Sequence, residues 1–315
     1  MNNTPLISIL IPLYNAEQYI GETITRVLKQ TYSNIELIIV DDHSTDQSLN
    51  IAQKYACSNI HVYSNPKKGG NAARNYAFQI SKGEYVKFMD ADDYCSDNMI
   101  QAQLDTILKE GTCNSIVFSP VKMLYSDGKI LSPHREIDNH IYQPGIELVL
   151  DIWRRKGWNC PHCHLMHRSL VEKSGGWDEK VIKNQDEEFF ARLESLADKA
   201  IPAPQEYAVW RQTGSGVSAQ ISKAAAISVI QTIMTITELI YDYRKDNETK
   251  KLCGLHFGYY IYEHYPQLTD YVHEIKRYLD KQETPLLFPQ TKKMKLLQSL
   301  FGWQLALSII HKFKL

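Results

Sequence analysis

The first hundred residues alternate short apolar runs with amphipathic segments, and this alternation restricts the chain to few folds. Four runs have the composition of buried parallel strands, at residues 6–11, 35–40, 60–63 and 84–89. Each is followed by a segment in which apolar residues recur every three or four positions, for example at Ile20, Ile24 and Val27. Repeated strand–helix units predict an α/β fold with a doubly wound sheet sandwiched by helices.

The order of elements changes after residue 110. Residues 115–122 and 129–131 flank a Ser126-Asp127-Gly128 turn, which predicts an antiparallel hairpin. Helices over 145–153 and 186–196 and a strand over 207–211 follow, and from residue 221 the pattern is helical. We therefore predict one α/β domain over 1–220, with halves of 1–110 and 111–220, and a helical extension over 221–315.

The amino-acid composition restricts the binding partners and the cellular compartment that can be expected for this chain. The 35 lysines and arginines nearly balance the 36 aspartates and glutamates, which argues against a protein that coats nucleic acid. Six scattered cysteines do not form a disulfide framework and favour a reducing cytosol. The sequence has no basic segment before its first apolar run and no uninterrupted apolar stretch of ~18–20 residues. These features predict a cytoplasmic protein that is soluble or peripheral to the membrane.

Polar side chains cluster where the predicted strands end: Tyr14-Asn15, Asp42 and the acidic run at 90–93. In doubly wound sheets, ligands bind at the carboxyl ends of the strands. The Gly-rich phosphate-binding patterns GxGxxG and GxxxxGK(S/T) are absent from the sequence, so a bound nucleotide must be held by side chains and a metal. The acidic pair Asp90 and Asp92 suits Mg²⁺ or Mn²⁺, which bind carboxylates together with phosphate oxygens.

Five segments occur together in one order: ILIPLYN at 9–15, VDDHSTD at 40–46, ARN at 73–75, GEY at 83–85 and FMDADD at 88–93. In this order and at these separations they resemble the family-2 glycosyltransferases, which have the GT-A fold and use nucleotide-diphosphate sugars. The resemblance covers about residues 6–218. It implies that the first half of the domain binds the nucleotide and that the second half faces the acceptor.

The resemblance implies a base-binding role for residues near the first two strand ends. Pro12 and Tyr14, with Asn15 beside them, match positions that line the uracil pocket. Asp42 matches the carboxylate that hydrogen-bonds the base. Taken alone, Tyr14 also fits a core aromatic at a strand end, and Asp42 also fits a helix N-cap.

The resemblance also implies a phosphate and metal site around Asp90-Ala91-Asp92, which matches the family's DxD motif. Asp92 is the expected direct ligand of Mn²⁺ or Mg²⁺, and Asp90 is expected nearer the ribose while also lying in the metal site. Arg74 matches an arginine close to the phosphates.

A second group of segments carries the expected chemistry. GGWDE at 175–179 and QDE at 185–187 resemble the family's Gly-Gly-Phe-Asp-Glu and Glu-Asp segments, in which the aspartate of Glu-Asp is the catalytic base. This implies Asp186 as the base, with Gln185 replacing the family's glutamate. Asp186 falls in the first turn of a predicted helix, where the macrodipole favours an ionised carboxylate that can accept a proton from a hydroxyl. The alternative is that Asp186 only contributes charge to a helix start.

The segment WRQTGS at 210–215 resembles a later family segment in which a histidine often follows the arginine by two residues. Thr213 occupies that position here, which leaves the metal shell to water and diphosphate or to another histidine. Arg211 is expected to contact phosphate, with an ordinary ion pair as the alternative.

The segment CPHCH at 160–164 fits the CxxCH pattern of haem attachment and suggests zinc as well. The missing export signal and the single cysteine pair argue against both. We expect the segment to line the acceptor side of the cleft, with Trp158 stacked on a sugar and His162 and His164 nearby. The alternative is buried packing.

The C-terminal tail differs in charge from the rest of the chain. Residues 284–315 contain five lysines and no acidic residue, and subtracting these five charges from the total of −1 leaves −6 for residues 1–283. The apolar stretch 296–310 is too short to span a bilayer but suits an interface, with Phe301 and Trp303 at the headgroup boundary. We predict peripheral contact with anionic lipid through residues 285–315. The alternative is a helix packed on the protein with its lysines in water.

These patterns together predict a metal-dependent, inverting glycosyltransferase of the hexosyltransferase type. The expected donor is a UDP-hexose or UDP-N-acetylhexosamine, and the expected acceptor is a hydroxyl of a glycan or lipid-linked sugar in surface polysaccharide synthesis. The lack of a QxxRW segment argues against a processive synthase. Two alternatives are a sugar-nucleotide nucleotidyltransferase, which would need a Gly-rich basic loop after the first strand, and a non-catalytic sugar-binding relative.

Overall fold

The computed structural model describes residues 4–214, 222–265 and 268–313. The chain forms two compact units, one of Met1–Val181 with Gln185–Gly216 and the other of Ile182–Asn184 with Val217–Leu315. Within the described residues, every strand belongs to the first unit, and the second unit is helical.

The first unit begins with a regular alternation of strands and helices. Its strands are β1 (Ile7–Leu13), β2 (Ile35–Asp41), β3 (Ile60–Ser64), β4 (Tyr85–Phe88), β5 (Tyr94–Cys95), β6 (Ser115–Phe118), β7 (Val121–Leu124), β8 (Ile130–Leu131), β9 (His164–His167), β10 (Lys199–Pro202) and β11 (Ala208–Arg211). Its helices are α1 (Ile20–Leu28), α2 (Ser48–Gln53), α3 (Gly70–Ile80), α4 (Met99–Glu110), α5 (Ile146–Trp153), α6 (Arg168–Ser174) and α7 (Gln185–Leu196).

A seven-stranded sheet with the order β10-β6-β9-β4-β1-β2-β3 forms the centre of this unit. β1 pairs in parallel with β2 on one side and with β4 on the other, and β3 extends the sheet beyond β2. The apolar side chains of β1 and β2 are buried, as expected for parallel strands inside an α/β fold. The predicted α/β architecture is therefore confirmed, and a smaller sheet with the order β5-β11-β7-β8 adjoins it.

Two features of the sheets differ from the sequence prediction. The strand predicted over 115–122 is two strands, because β6 pairs with β9 and β10 in the large sheet whereas β7 pairs with β8 and β11 in the small one. Pro120, which has no N–H, lies at the break. β9 occupies an interior position, antiparallel to β4 and β6, in a segment where the sequence analysis predicted no strand. The hairpin pairing of β7 with β8 is confirmed.

The second unit contains α8 (Lys223–Tyr243), α9 (Asn247–Glu263), α10 (Val272–Lys281) and α11 (Lys292–Phe313). By length and composition α8 could cross a membrane, although half of its most apolar window is buried within the protein, as in a core helix. The sequence analysis overlooked it because serine, glutamine and threonine residues interrupt its apolar run.

The last helix, α11, is interrupted at Gly302, where φ is 72°. One side is buried, at Met294, Ala306, Leu307 and Ile310. Trp303, expected at the headgroup boundary, is partly buried: its indole stacks on Phe288 at 4.9 Å between centroids, and the Lys276 ammonium lies 5.0 Å from the ring centroid. Its contact with lipid stays a prediction. Lys314, which the sequence analysis grouped with this tail, lies outside the described residues.

Two glycines on one face of α9 allow the segment before α11 to approach the helix backbone. A Cβ atom at Gly254 would lie 1.8 Å from the carbonyl oxygen of Pro285, and one at Gly258 would lie 1.7 Å from that of Leu287. The N–H of Leu287 donates to the carbonyl oxygen of Gly254 at 3.2 Å. The close approach therefore depends on hydrogen rather than a methyl group at both positions.

We expect Gly258→Ala to lower the free energy of unfolding of the second unit by about 2–3 kcal/mol, because the new methyl group must displace backbone. Gly21→Ala in α1 is the matched control: its Cβ would meet only side-chain atoms at 3.7 Å, an ordinary contact distance, and it should be neutral or stabilise by up to about 1 kcal/mol. Chemical denaturation followed by circular dichroism measures both. Equal stability of the two variants would contradict the close packing.

Candidate active site

The parallel register places three predicted site segments at one edge of the sheet. Leu13 at the end of β1 lies opposite Asp41 at the end of β2, and β4 pairs with the other side of β1. The loops that carry Tyr14, Asp42 and Asp90 therefore begin at neighbouring strand ends, as the rule for ligand sites in such sheets requires. Pro12 lies within β1 and is partly buried, and Tyr14 is 55% exposed, so its ring is accessible to a base.

Asn15 joins the first two strand-end loops. Its backbone has φ of 45°, its side-chain Oδ1 accepts the N–H of Thr45 at 2.8 Å, and its own N–H donates to Ser44 Oγ at 3.1 Å. The Asn15 side chain is therefore used to hold the loop beside Tyr14. Its predicted contact with the nucleotide stays a prediction.

Asp42 is buried and held by uncharged donors. Its Oδ1 accepts the Asn65 side-chain amide at 2.7 Å and the N–H of Gly69 at 2.8 Å. Gly69 has φ of 123°, which only glycine adopts readily, and the next residue begins α3. The carboxylate is thus fixed at the strand edge, and the alternative of a helix N-cap for α2 is not observed, because Gln47 is the N-cap residue there.

Arg74 on α3 connects the strand edge to the segment at 175–179. Its guanidinium is buried, donates to Asp90 Oδ1 at 2.7 Å and lies 4.6 Å from the centroid of the Trp177 ring. A second donation reaches Asn71 Oδ1 at 3.2 Å, whereas the buried Nε has no partner. One cation therefore balances Asp90 and also fixes the position of Trp177.

The same face of α3 binds the backbone of the segment at 175–179. The Asn75 side chain accepts the N–H of Trp177 at 2.8 Å and donates to its carbonyl oxygen at 2.8 Å. Asn71 donates to the carbonyl oxygen of Asp178 at 2.8 Å. Gly176 has φ of 78°, and a Cβ there would lie 2.8 Å from Asn75 Oδ1. These contacts explain physically why the ARN and GGW segments occur together.

Asp186 lies in the first turn of α7, as predicted. The residue is partly buried, and its Oδ1 is a buried atom with no hydrogen-bond partner. Burial raises the pKa of Asp186 to about 7, against a lowering by Arg74 and with a further rise from Asp90. The pKa of Asp186 therefore depends on the charges of Arg74 and Asp90 as well as on burial. A carboxyl with a pKa of about 7 can gain or lose a proton near neutral pH.

Asp92 is partly buried beside Asp90, and burial followed by the charge of Asp90 raises its pKa to about 6. A partly desolvated pair of carboxylates is a favourable place for a divalent cation. No group of three or more His, Cys, Asp or Glu side chains that could hold an ion exists in the described part of the chain. Asp90 and Asp92 could therefore supply carboxylate oxygens to a divalent cation, which would need phosphate and water for its remaining ligands. The Ala91 side chain is buried, and its carbonyl oxygen accepts the Thr23 hydroxyl at 2.9 Å.

Arg211, predicted to contact phosphate, is engaged within the protein. Its guanidinium pairs with Glu22 at 2.9 Å and donates through Nε to the carbonyl oxygen of Asp92 at 2.9 Å. The side chain also lies over the ring of Tyr19, 5.0 Å from its centroid. These contacts favour the alternative of an ion pair and give Arg211 a role in holding the acidic loop, which the sequence analysis missed.

The three residues expected on the acceptor side differ in their exposure to solvent. His162 and His164 are fully buried, which argues against their predicted contact with an acceptor and favours the alternative of buried packing. The CxxCH segment also contributes to no group of three metal-binding side chains within the ranges described. Trp158 remains partly exposed and packs edge-on against Trp210 at 5.0 Å between ring centroids.

The chain belongs to glycosyl transferase family 2, whose model matches residues 8–175. Among its relatives, the Streptococcus pneumoniae glycosyltransferase GlyG is 42% identical over 99 residues, which cover 30% of this chain and 33% of GlyG. A putative teichuronic acid biosynthesis glycosyltransferase, TuaG of Bacillus subtilis, is 37% identical over 130 residues, 40% of this chain and 51% of TuaG.

A third relative carries a more specific name. The Escherichia coli enzyme WfgD, a UDP-Glc:alpha-D-GlcNAc-diphosphoundecaprenol beta-1,3-glucosyltransferase, is 34% identical over 134 residues, 41% of this chain and 52% of WfgD. The chain therefore spans about half or less of the length of these relatives.

The fold as a whole is similar to a solved structure. Residues 1–349 of S. aureus TarS, in complex with UDP-GlcNAc, superpose with a TM-score of 0.71 at 17% identity, over 98% of this chain and 91% of that one. This likeness confirms the GT-A fold and the presence of a helical C-terminal region.

Proposed function

We propose that this chain is a metal-dependent, inverting glycosyltransferase. It moves a hexose or N-acetylhexosamine from a UDP-sugar to a hydroxyl of a glycan or lipid-linked acceptor in surface polysaccharide synthesis. The observation that carries the proposal is the partly buried Asp186, whose buried Oδ1 has no hydrogen-bond partner and whose pKa responds to the charges of Arg74 and Asp90. The names of WfgD and TuaG, which specify a UDP-glucose donor with a lipid-linked acceptor and teichuronic acid synthesis, support this choice of substrates.

The donor's base binds between the first two strand ends. Tyr14 offers an exposed ring for stacking, Pro12 supports it from β1, and Asp42 accepts a hydrogen bond from the uracil N–H. Asn15 holds the loop that carries Tyr14. Arg74 lies next to Asp90, where its charge also attracts the donor phosphates.

Asp92, with Asp90 beside it, holds the divalent cation, Mn²⁺ or Mg²⁺. When bound, the cation neutralises charge that develops on the leaving diphosphate. Asp186 accepts the proton of the acceptor hydroxyl, whose oxygen forms a bond to the anomeric carbon while the bond from that carbon to the diphosphate oxygen breaks. Attack from the face opposite the diphosphate inverts the anomeric configuration.

Release of UDP from a panel of UDP-sugars with Mn²⁺ and lipid-linked acceptors tests the reaction. We expect Asp186→Asn to lower kcat by about 10²–10⁴-fold, the usual contribution of a general base. Asp92→Asn should raise the Mn²⁺ concentration required for half-maximal rate. Asp105→Asn, an exposed carboxylate on α4, is the matched control and should leave both quantities unchanged.

Each alternative gives a different result in this assay. Formation of pyrophosphate from a nucleoside triphosphate and a sugar phosphate would identify a nucleotidyltransferase, and binding of UDP-sugar without turnover would identify a non-catalytic relative. Retention of the donor's anomeric configuration in the product, measured by NMR, would contradict inversion.

The rate should depend on pH through Asp186, whose pKa is raised to about 7, mainly by burial. Because the base must be ionised, we expect kcat/KM to fall about tenfold per pH unit below pH 7 and to level off above it. In Asp186→Asn the residual rate should lose the fall between pH 7 and pH 6, and any remaining fall at lower pH would report Asp92, whose pKa is raised to about 6. A wild-type profile that stays flat down to pH 5 would contradict the assignment of the base.

We also propose that α11 contacts the membrane surface peripherally. Leu296, Leu300, Phe301 and Leu305 are 50–63% exposed on this helix, and their neighbours include three exposed lysines at 292, 293 and 295. Apolar side chains next to lysines match the boundary of an anionic bilayer, where the chains enter the acyl region and the ammonium groups meet phosphate. The expected location is cytoplasmic, at the inner face of the membrane.

Co-sedimentation with vesicles tests this contact. We expect the full chain to bind phosphatidylglycerol–phosphatidylcholine vesicles, and the double variant Leu300→Glu with Phe301→Glu to bind at least about tenfold more weakly, since each side chain contributes about 1.5–3 kcal/mol when buried. Leu108→Glu is the matched control, because Leu108 is 60% exposed on α4 of the first unit. Unchanged vesicle binding by the double variant, or a loss of self-association instead, would contradict the contact.

A further inference from the structure

The backbone of the acidic loop, residues 90–93, is held from two other elements of the first unit. The hydroxyl of Thr23 on α1 lies 2.9 Å from the carbonyl oxygen of Ala91 and 3.0 Å from that of Asp93. From β11, the Arg211 Nε donates to the carbonyl oxygen of Asp92 at 2.9 Å. These contacts use loop carbonyl groups, so they leave the Asp92 carboxylate available.

Asp93 differs from the two acidic residues before it, because its side chain is only 2% exposed. Its Oδ1 accepts the N–H of Arg211 at 2.7 Å, and its Oδ2 lies 3.3 Å from Nδ1 of His162. The other ring nitrogen of His162, Nε2, lies 3.1 Å from the carbonyl oxygen of Val209. Since a carbonyl oxygen only accepts, Nε2 carries a proton. Nδ1, which has no other partner, can then hydrogen-bond to Asp93 Oδ2 only through one further proton, held by either of the two groups.

These contacts form a closed circuit. Asp93 and His162 each bind the backbone of β11, at Arg211 and Val209, and Asp93 Oδ2 lies 3.3 Å from His162 Nδ1. A loop tied in this way cannot move its carboxylates away from the strand edge without breaking buried polar contacts, each of which costs about 1–3 kcal/mol when left unpaired. The circuit accounts for the burial of a histidine from the CPHCH segment.

We infer that Asp93 and His162 are positioning residues that fix the acidic loop, and thereby set the affinity of the protein for a divalent cation bound together with a nucleoside diphosphate. The inference rests on the proposed function insofar as Asp90 and Asp92 form the cation site. It assigns to Asp93 no bond with the cation, because both of its oxygens face the protein interior.

The experiment measures Mn²⁺ binding to the full chain in the presence of UDP, from the electron paramagnetic resonance signal of free Mn²⁺, together with Tm. We expect Asp93→Ala and His162→Ala to weaken Mn²⁺ binding by about 10–100-fold, as the loss of groups that orient metal ligands commonly does. His162→Gln is a milder variant, whose amide can keep the contact with Val209 while losing the one with Asp93, and it should weaken binding in the same direction. Asp93→Asn should stay within about threefold of wild type, because its amide can accept from Arg211 and donate to His162 Nδ1.

His164→Gln is the matched control for destabilisation of the core. His164 is as fully buried as His162 and lies two residues away, but its ring stacks on Phe190 at 3.9 Å between centroids. It should lower Tm and leave Mn²⁺ affinity unchanged.

Equal loss of affinity in His164→Gln, or wild-type affinity in both alanine variants, would overturn the inference. Loss in Asp93→Asn equal to that in Asp93→Ala would make the negative charge of Asp93 the active feature and overturn it too. Absence of Mn²⁺–UDP binding by the wild type would instead remove the proposed donor site, and the inference with it.

Discussion

The concentration of negative charge at the carboxyl edge of the central sheet is the constraint on which the site depends. The charge of Asp90 contributes to a raised pKa at Asp92, Asp93 and Asp186. Removing a carboxylate from water costs several kcal/mol unless it is paired or neutralised. Arg74 pairs with Asp90, and burial raises the pKa of Asp186 and of Asp92. A further cation near these aspartates would therefore stabilise their ionised forms. This electrostatic effect favours the binding of a metal together with a donor diphosphate.

Helix α3 fixes the positions of the charged residues at this edge of the sheet. Asn71, Arg74 and Asn75 recur at the spacing of one helical turn and so share a face. From that face they hold Asp90 on one side and the backbone of Trp177 on the other. Trp177 in turn stacks on Phe189 of α7, at 4.0 Å between centroids, three residues after Asp186. The predicted base and the acidic pair are thus tied to one rigid element within the first unit.

The sequence was sufficient for the parallel part of the fold and for the strand-end residues, because buried parallel strands have continuous apolar runs and their polar ends fall at one edge. It was insufficient for β9. This four-residue segment, His-Leu-Met-His, has neither a continuous apolar run nor an alternating pattern, and it is a strand because it pairs with β4 and β6. The burial of His162, two residues before β9, and the contacts of Arg211 on β11, which pairs with β5 and β7, also depend on long-range pairing that local patterns do not encode.

The acidic run at 90–93 shows how one short segment serves two opposed requirements. Metal and donor binding need carboxylates that are accessible, whereas precise placement needs groups that are buried and fully bonded. Asp92, which is partly exposed, meets the first requirement, and the adjacent Asp93, which is buried and accepts the N–H of Arg211, meets the second. An acidic pair without a third, buried aspartate would have no side chain that fixes the loop to the protein interior. The third aspartate of the run, together with a histidine 69 residues further along the chain, supplies it.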